Sequence, residues 1–263
     1  MMRLSVITAD PAGNITLLVR TPVMPACRGE IARRLLKQKP DAEQVGFLTE
    51  PRFGGDVRLE MMGGEFCGNA LRAAGLLHAV RVGNREPQTV AVEISGCAGP
   101  LLVRADPAKG HAWAQMPLPK AVERLSLAGE MLDAVRFEGI LQFVRFSPCI
   151  LNQEEVKTAL HAACGAYGAA AAGLMEYDEA ACTMRPAVYV CGTDSLYYER
   201  SCASGSAAVA ALKASQSSTD SAALFLRQPG GVIEACAEKE NGALRKISIG
   251  GAVTLGEECE TEV

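Results

Sequence analysis

The sequence predicts an α+β fold built as two similar, strand-rich lobes with a cleft between them. Three observations carry this expectation. Short apolar or alternating segments, separated by Gly, Pro and Asn turns, run through both halves of the 263 residues. Each half holds one helix of small residues, at 68–82 and 203–214. Each of these helices starts at a cysteine, Cys67 or Cys202, so one element looks used twice.

Segments 3–8 and 15–20 read as strands, with Asp10-Pro11-Ala12-Gly13-Asn14 turning between them. Ile31, Leu35 and Leu36 give 28–38 a helical period, which Lys39-Pro40-Asp41 ends. Strands at 45–50 and 57–62 flank Arg52-Phe53-Gly54-Gly55-Asp56. Helix 68–82 follows, stopped by Gly83-Asn84, and strands at 89–95, 100–105 and 111–116 complete the first half. Pro117, Pro119 and a polar-apolar mix up to about residue 130 mark the boundary. The second half repeats the plan: strands near 134–146, a helix near 153–163, strands near 187–190 and 195–198, then helix 203–214. Closing strands are expected at 222–227, 231–237, 245–249 and 252–255. The lobes are therefore placed at 1–122 and 123–251, with a C-terminal strand near 252–263 able to return to the first. Gln228-Pro229-Gly230-Gly231 is a turn too short for a phosphate loop.

Composition narrows the class. Apolar residues make up 49% of the chain, charged residues 21% and aromatics only 5%, so the core must rely on Val, Leu, Ile and Ala. A net charge of −4 is too mild to argue for nucleic acid or an anionic membrane surface as a partner. No apolar run nears the roughly 20 residues that span a bilayer. No basic-then-apolar leader opens the chain, so the expected location is the cytoplasm. The ten cysteines are scattered and include no Cys-x-x-Cys pair. His161 and Cys164 have a ligand-like spacing, but no second pair accompanies them, and no metal site is expected. In a reducing compartment most of these thiols serve as small buried apolar residues.

Cys67 and Cys202 are set apart by their neighbours. A thiol at a helix N-terminus feels the positive end of the helix dipole and the backbone N–H groups there. That setting lowers a cysteine pKa from about 8.5 towards roughly 3.5–7.5. The same N–H groups can hold a carboxylate, and the small residues Gly68-Asn69 and Ala203-Ser204-Gly205-Ser206 let a substrate approach the backbone. Two such thiols facing each other across a cleft can take a proton from one face of a carbon and return it to the other. That is the chemistry of a racemase or epimerase with no bound cofactor. If the thiols do face each other, they can also close to an inactivating disulfide.

Glu65-Phe66-Cys67-Gly68-Asn69 and Glu199-Arg200-Ser201-Cys202-Ala203-Ser204-Gly205-Ser206 resemble motifs of the diaminopimelate epimerase-like superfamily. That superfamily includes proline racemases, bacterial histidine racemases and phenazine-biosynthesis-type isomerases. The resemblance follows element order along the whole chain, although its specific motifs are short. It implies two pseudo-symmetric lobes, each a β-barrel-like sheet wrapped around a central helix, with the active site in the cleft. It also implies Cys67 and Cys202 as the catalytic pair, neither PLP nor metal, an amino acid as the small-molecule partner, and often a homodimer. Gly13-Asn14 resembles a family Gly-Asn whose Asn lies in the substrate cleft. Glu199 and Arg200 resemble a family Glu-Arg pair that stands further ahead of its cysteine.

The departures bear on the substrate. Three asparagines that recognise the far end of diaminopimelate are replaced, at Arg58, in Ser147-Pro148-Cys149 and in Arg185-Pro186-Ala187. The compact Glu-Arg-Ser-Cys and Gly-Gly-Glu-Phe-Cys-Gly-Asn spellings are closer to the histidine-racemase branch associated with opine metallophores. A single amino acid such as histidine is therefore expected, with diaminopimelate and hydroxyproline or proline as alternatives. Substrate contacts are expected from Asn14, Arg58, Gly68, Asn69, Glu199, Arg200, Ala203, Ser204, Gly205 and Ser206. Arg58 either grips a carboxylate bidentately or is an exposed strand arginine. Tyr197-Tyr198 either lines a ring pocket or packs.

Other classes make different demands. A cysteine hydrolase or acyltransferase needs His78, His111 or His161 beside a cysteine. His78 lies about 16 Å along the helix axis from Cys67, too far for a dyad within one helix. A non-catalytic amino-acid-binding protein needs only the fold.

Overall fold

The computed structural model describes residues 2–83, 85–146 and 152–263. The helix stop at Asn84 and the reading of Ser147-Pro148-Cys149 lie outside the described residues. The chain divides into two compact units, 1–115 with 250–263, and 116–249. The architecture is α+β and dominated by strands.

The first unit runs β1 (Arg3–Asp10), β2 (Thr16–Val19), α1 (Pro25–Gln38), β3 (Gln44–Thr49), β4 (Val57–Met61), α2 (Gly68–Val82), β5 (Gln88–Ile94), β6 (Leu101–Asp106) and β7 (His111–Met116). Strands β1 and β2 pair antiparallel, β2 and β3 parallel, β3 and β4 antiparallel. Beyond them β4 and β5 pair parallel, and β5, β6 and β7 follow antiparallel. The C-terminal strand Thr254–Glu262 runs antiparallel along the other edge of β1.

Helix α1 begins with Pro25 in its first turn, where the missing N–H costs nothing. Its Ile31, Ala32 and Leu35 bury against Leu17, Val19, Val45 and Phe47, as an amphipathic outer helix should. Helix α2 is different in kind. Eleven of its fifteen residues are buried, so it has no solvent face and acts as a core element. Small residues allow that: a Cβ on Gly75 would stand 2.6 Å from Val103 Cγ1 on β6.

The second unit runs β8 (Ala121–Leu127), β9 (Glu130–Arg136), β10 (Ile140–Arg145), α3 (Gln153–Tyr167), β11 (Ala171–Asp178), β12 (Thr183–Val190), a 3-10 turn (Cys191–Thr193) and β13 (Ser195–Tyr198). Then come α4 (Ala203–Gln216), β14 (Ser221–Gln228), β15 (Gly231–Glu240), β16 (Ala243–Ala252) and the C-terminal strand, β17. The pairings repeat those of the first unit. They are β9/β10 antiparallel, β10/β11 parallel, β11/β12 antiparallel, β12/β14 parallel and β14/β15 antiparallel. Helix α3 is the outer helix, opened by a capping box of Asn152 and Glu155, with Val156, Ala159, Leu160 and Ala163 inward. Helix α4 is the core helix, with ten of its fourteen residues buried against β9, β10, β11, β14 and β15.

One helix–strand plan is thus used twice, and each cysteine of interest caps the core helix of its own copy. The main addition in the second copy is β13, which shares an edge of β12 with β14. Two segments differ from the sequence expectation. The stretch up to about residue 130, read as the boundary and given no strand, holds β8, paired with β9. Strand β11 was not anticipated at all, because its alanines carry little strand preference. No helix among the described residues is long and apolar enough to cross a membrane.

Candidate active site

Cys67 is the N-cap of α2, with extended backbone angles (φ −134°, ψ 112°). Its Sγ accepts the N–H of Ala70 at 3.5 Å, standing where a Ser or Asp oxygen usually caps. Gln44, at the start of β3, donates its Nε2 to Cys67 Sγ at 3.2 Å, and to Asn14 Oδ1 and Thr16 Oγ1 at 2.8 Å each. Asn14 Oδ1 lies 3.7 Å from the thiol sulfur. Behind them Arg72, fully buried in α2, donates to Asn69 Oδ1 (3.0 Å), Gly251 O (3.1 Å) and Pro11 O (3.4 Å). This ties the loop that carries Asn14 to the helix that carries Cys67. Asn14, Cys67, Gly68 and Asn69 are therefore brought together.

Arg58 is engaged elsewhere. Its guanidinium pairs with Glu60 and, at 3.1 Å, with Glu93, and its side chain is largely buried. Neither expected reading of Arg58 describes it: it is neither exposed nor an open carboxylate clamp. Glu93 also accepts the backbone N–H groups of Arg52, Phe53 and Gly55, so the pair fixes the 52–55 loop. Burial pushes the Glu93 carboxyl up. Those N–H groups, led by that of Arg52, outweigh it together with Arg58 and hold the pKa at about 2.

In the second unit Cys202 is the N-cap of α4 (φ −121°, ψ 111°), and its Sγ accepts the N–H of Gly205 at 3.3 Å. Ser204 Oγ lies 3.5 Å from the sulfur. Gln142, fully buried on β10, donates its Nε2 to Ser204 Oγ at 2.8 Å and reaches Cys202 Sγ at 4.0 Å. Gln228 holds the cap from behind. Its Oε1 accepts Cys202 N at 2.8 Å, and its Nε2 donates to Ser206 Oγ at 2.8 Å, which in turn donates to Cys202 O at 2.7 Å. Ser206, expected to touch substrate, is buried and works in this cap. Arg200 is exposed, and its carbonyl accepts Gly230 N at 2.7 Å. Tyr197 and Tyr198 on β13 are exposed rather than packed.

Electrostatics at Cys202 run against the sequence expectation. Burial pushes this thiol well above the ordinary cysteine value, and the hydrogen-bonded Glu199 carboxylate pushes it further. Ser204 and the Gly205 N–H pull the other way without compensating. A helix N-terminus lowers a cysteine pKa only where the thiolate is not also desolvated and set beside a carboxylate.

Gln44, Thr16, Gln142, Gln228 and Arg72 were missed in the sequence. The available signal was a polar residue inside an apolar strand run, as in Ile140-Leu141-Gln142-Phe143-Val144, since a buried amide must find partners. No group of three or more metal-ligating side chains occurs among the described residues.

Comparison with known proteins bears on what this arrangement serves. The family described as "Histidine racemase CntK N-terminal domain" matches residues 3–260. A histidine racemase of Fusobacterium nucleatum subsp. nucleatum is 32% identical over 252 residues, covering 90% of each chain. Among solved structures, a Bacillus anthracis phenazine biosynthesis protein of the PhzF family superposes with a TM-score of 0.70 at 13% identity, covering 100% of both chains. A probable proline racemase from Agrobacterium radiobacter superposes with a TM-score of 0.67 at 15% identity, covering 98% of this chain and 92% of that one. The two structures share the fold, and the family match and the Fusobacterium relative settle membership: the chain belongs to the histidine racemase family of amino-acid isomerases.

Proposed function

We propose that the chain racemises a single free amino acid, histidine, by a two-base exchange between Cys67 and Cys202. The observation that carries this reading is the duplicated capped cysteine: in each copy of one strand plan, a thiol sulfur accepts a first-turn N–H of the core helix. Cys202, buried beside Glu199, keeps its proton at neutral pH and starts as the acid. Cys67 starts as the base, its sulfur accepting N–H donors from Gln44 and Ala70. Cys67 takes the α-proton from one face and Cys202 supplies a proton to the other; for the opposite isomer the roles exchange. As the α-proton leaves, negative charge moves onto the substrate carboxylate. N–H groups at the helix starts are suited to stabilise it, each such donor being worth about 2.7–4 kcal/mol in comparable sites.

Histidine is favoured by the family and by the named relative. Diaminopimelate is disfavoured because Arg58, which stands where its epimerases carry an Asn, is committed to Glu60 and Glu93. The test is α-proton exchange in D₂O, followed by NMR with reduced protein and no added PLP or metal, across the common L-amino acids, hydroxyproline and diaminopimelate. Deuterium incorporation with D-isomer formation for histidine supports the proposal. Turnover of diaminopimelate or hydroxyproline with histidine inert refutes the substrate. Silence across the panel refutes the activity.

A further inference from the structure

The turn Gln228-Pro229-Gly230-Gly231 is too short for a phosphate loop, and the structure gives it another task, which recurs in the first unit. Gly230 N donates to the carbonyl of Arg200, two residues before Cys202, at 2.7 Å. In the first unit Ser95, just after β5, donates its Oγ to the carbonyl of Glu65, two residues before Cys67, at 2.8 Å. Strands β5 and β14 hold equivalent places: each follows the core helix of its copy and pairs parallel with the strand before that helix. The same carbonyl, counted from the cysteine, is thus held from the same end of the same strand in both copies. Ser95 also grips a second point. Its buried Oγ accepts Met61 N at 2.9 Å, so one hydroxyl ties the end of β4 to the chain entering α2. Between those points Gly63, Gly64 and Glu65 are exposed, and packing does not fix them. Gly96 closes the grip. Its φ is +78°, and a Cβ there would stand 2.6 Å from Phe66 N and 3.1 Å from Glu65 C. The turn therefore lies directly on the backbone that leads to Cys67.

We propose that Ser95 is a positioning residue for the Cys67 thiol, holding the chain that enters α2 so that the sulfur stays within reach of its donors. The inference rests on the reading of Cys67 as an exchanging base. Cys67 Sγ is met by Ala70 N at 3.5 Å and by Gln44 Nε2 at 3.2 Å. Those donors lie on α2 and at the start of β3, so the sulfur meets both only where the chain before it is held. Without the Ser95 hydroxyl, Glu65 O and Met61 N lose their shared partner, and the exposed glycine stretch lets Cys67 drift from its cap. Helix α2 stays in place because it is buried along its length. Groups at its start that meet a substrate are therefore kept while the base moves. That combination lowers kcat and leaves KM nearly unchanged, since the lost interaction is with the transition state. The matching bond at Arg200 in the second copy marks the contact as part of the repeated thiol site rather than as incidental loop packing.

The test compares wild type, Ser95→Ala and Ser95→Thr in two measurements on the full chain. The first is amide hydrogen exchange by NMR, which needs no activity. In Ser95→Ala the Ala70 N–H, which caps on Cys67 Sγ, should exchange about 10-fold faster or more. Leu76 and Leu77 further along α2, and the Gly205 N–H in the second unit, should change only as overall stability does. The second measurement is the steady-state racemisation of histidine. Here kcat should fall by about 10- to 100-fold with KM held within about twofold. Ser95→Thr keeps the hydroxyl and should restore both readouts. Gly96→Ala keeps the hydroxyl but presses on Phe66 N, and should reproduce the change at Ala70 if Ser95→Ala does not fold. Unchanged exchange at Ala70, or equal acceleration along the whole of α2, overturns the proposal, as does an unchanged kcat in Ser95→Ala when wild type is active. A response confined to Ala70 in a protein whose wild type leaves histidine untouched supports the positioning and refutes only the racemase reading.

Discussion

Replacing Gly205 with Ala tests whether the Cys202 thiol is held by the packing beneath it. Gly205 donates the N–H that caps Cys202 Sγ at 3.3 Å. A Cβ there would lie 3.1 Å from Met175 Cγ and 3.2 Å from Met175 Cε, with the sulfur closer still. Met175 is fully buried on β11 and has no solvent side to swing into. Overpacking of this kind costs about 1–3 kcal/mol. The gain in helix preference returns at most ~1 kcal/mol. Net destabilisation of about 0–2 kcal/mol is expected, and the relief must come from a shift of the α4 start. A displacement approaching ~1 Å at the thiol lowers kcat by about 10²-fold. Met175→Ala alone should cost about 2–5 kcal/mol by leaving a cavity. In the double variant the new Cβ enters that cavity, so the combined loss should fall short of the sum by ~1 kcal/mol or more. Urea denaturation and initial racemisation rates measure both effects. Additivity within about 0.5 kcal/mol, together with unchanged kcat in Gly205→Ala, would refute the reasoning.

Further outcomes follow from the same residues. Glu199→Gln removes the charge that adds to burial in raising the Cys202 pKa, so the alkaline loss of activity should move to lower pH; an unmoved limb means Glu199 does not set it. A thiol with a raised folded pKa keeps its full stabilisation below the unfolded cysteine value of about 8.5 and loses it as pH rises beyond. Stability in the Cys202→Ser protein should therefore decline less above that pH than in wild type. Glu93, held at about 2 against an ordinary 4.5, contributes stability that is present above 4.5 and lost as pH falls towards 2. Glu93→Gln should be less stable at neutral pH and flatter across that acid window in denaturation melts. Gln142→Leu removes the donor to Ser204 and should cost about 1 kcal/mol together with part of kcat, read by melts and initial rates.

The core helices were legible because small residues starting at a cysteine and ending at Gly83 or in polar residues carry their own boundaries. The outer helices were legible from period alone, although α1 starts earlier than expected because Pro25 serves as its first turn. Strand β11 was hidden because it is a strand by pairing rather than by preference. It lies between β10 and β12, and Gly173, in register with Gln142, leaves room for that buried amide. The cysteines themselves could be read, but their electrostatics could not. Whether a helix start lowers or raises a thiol pKa depends on burial and on a carboxylate, and Glu199 near Cys202 in sequence carries no sign of its hydrogen bond. Arg58 shows the same limit: Glu93 lies far along the chain, and only the β4–β5 pairing makes them neighbours.

The most direct test of the two-thiol account is deuterium incorporation into L- and D-histidine by wild type, Cys67→Ser and Cys202→Ser, each confirmed folded by its thermal melt. The account predicts that both variants lose inversion, while each retains at most exchange without inversion for the single isomer whose α-proton faces the surviving thiol. Inversion at the wild-type rate in either variant would contradict it.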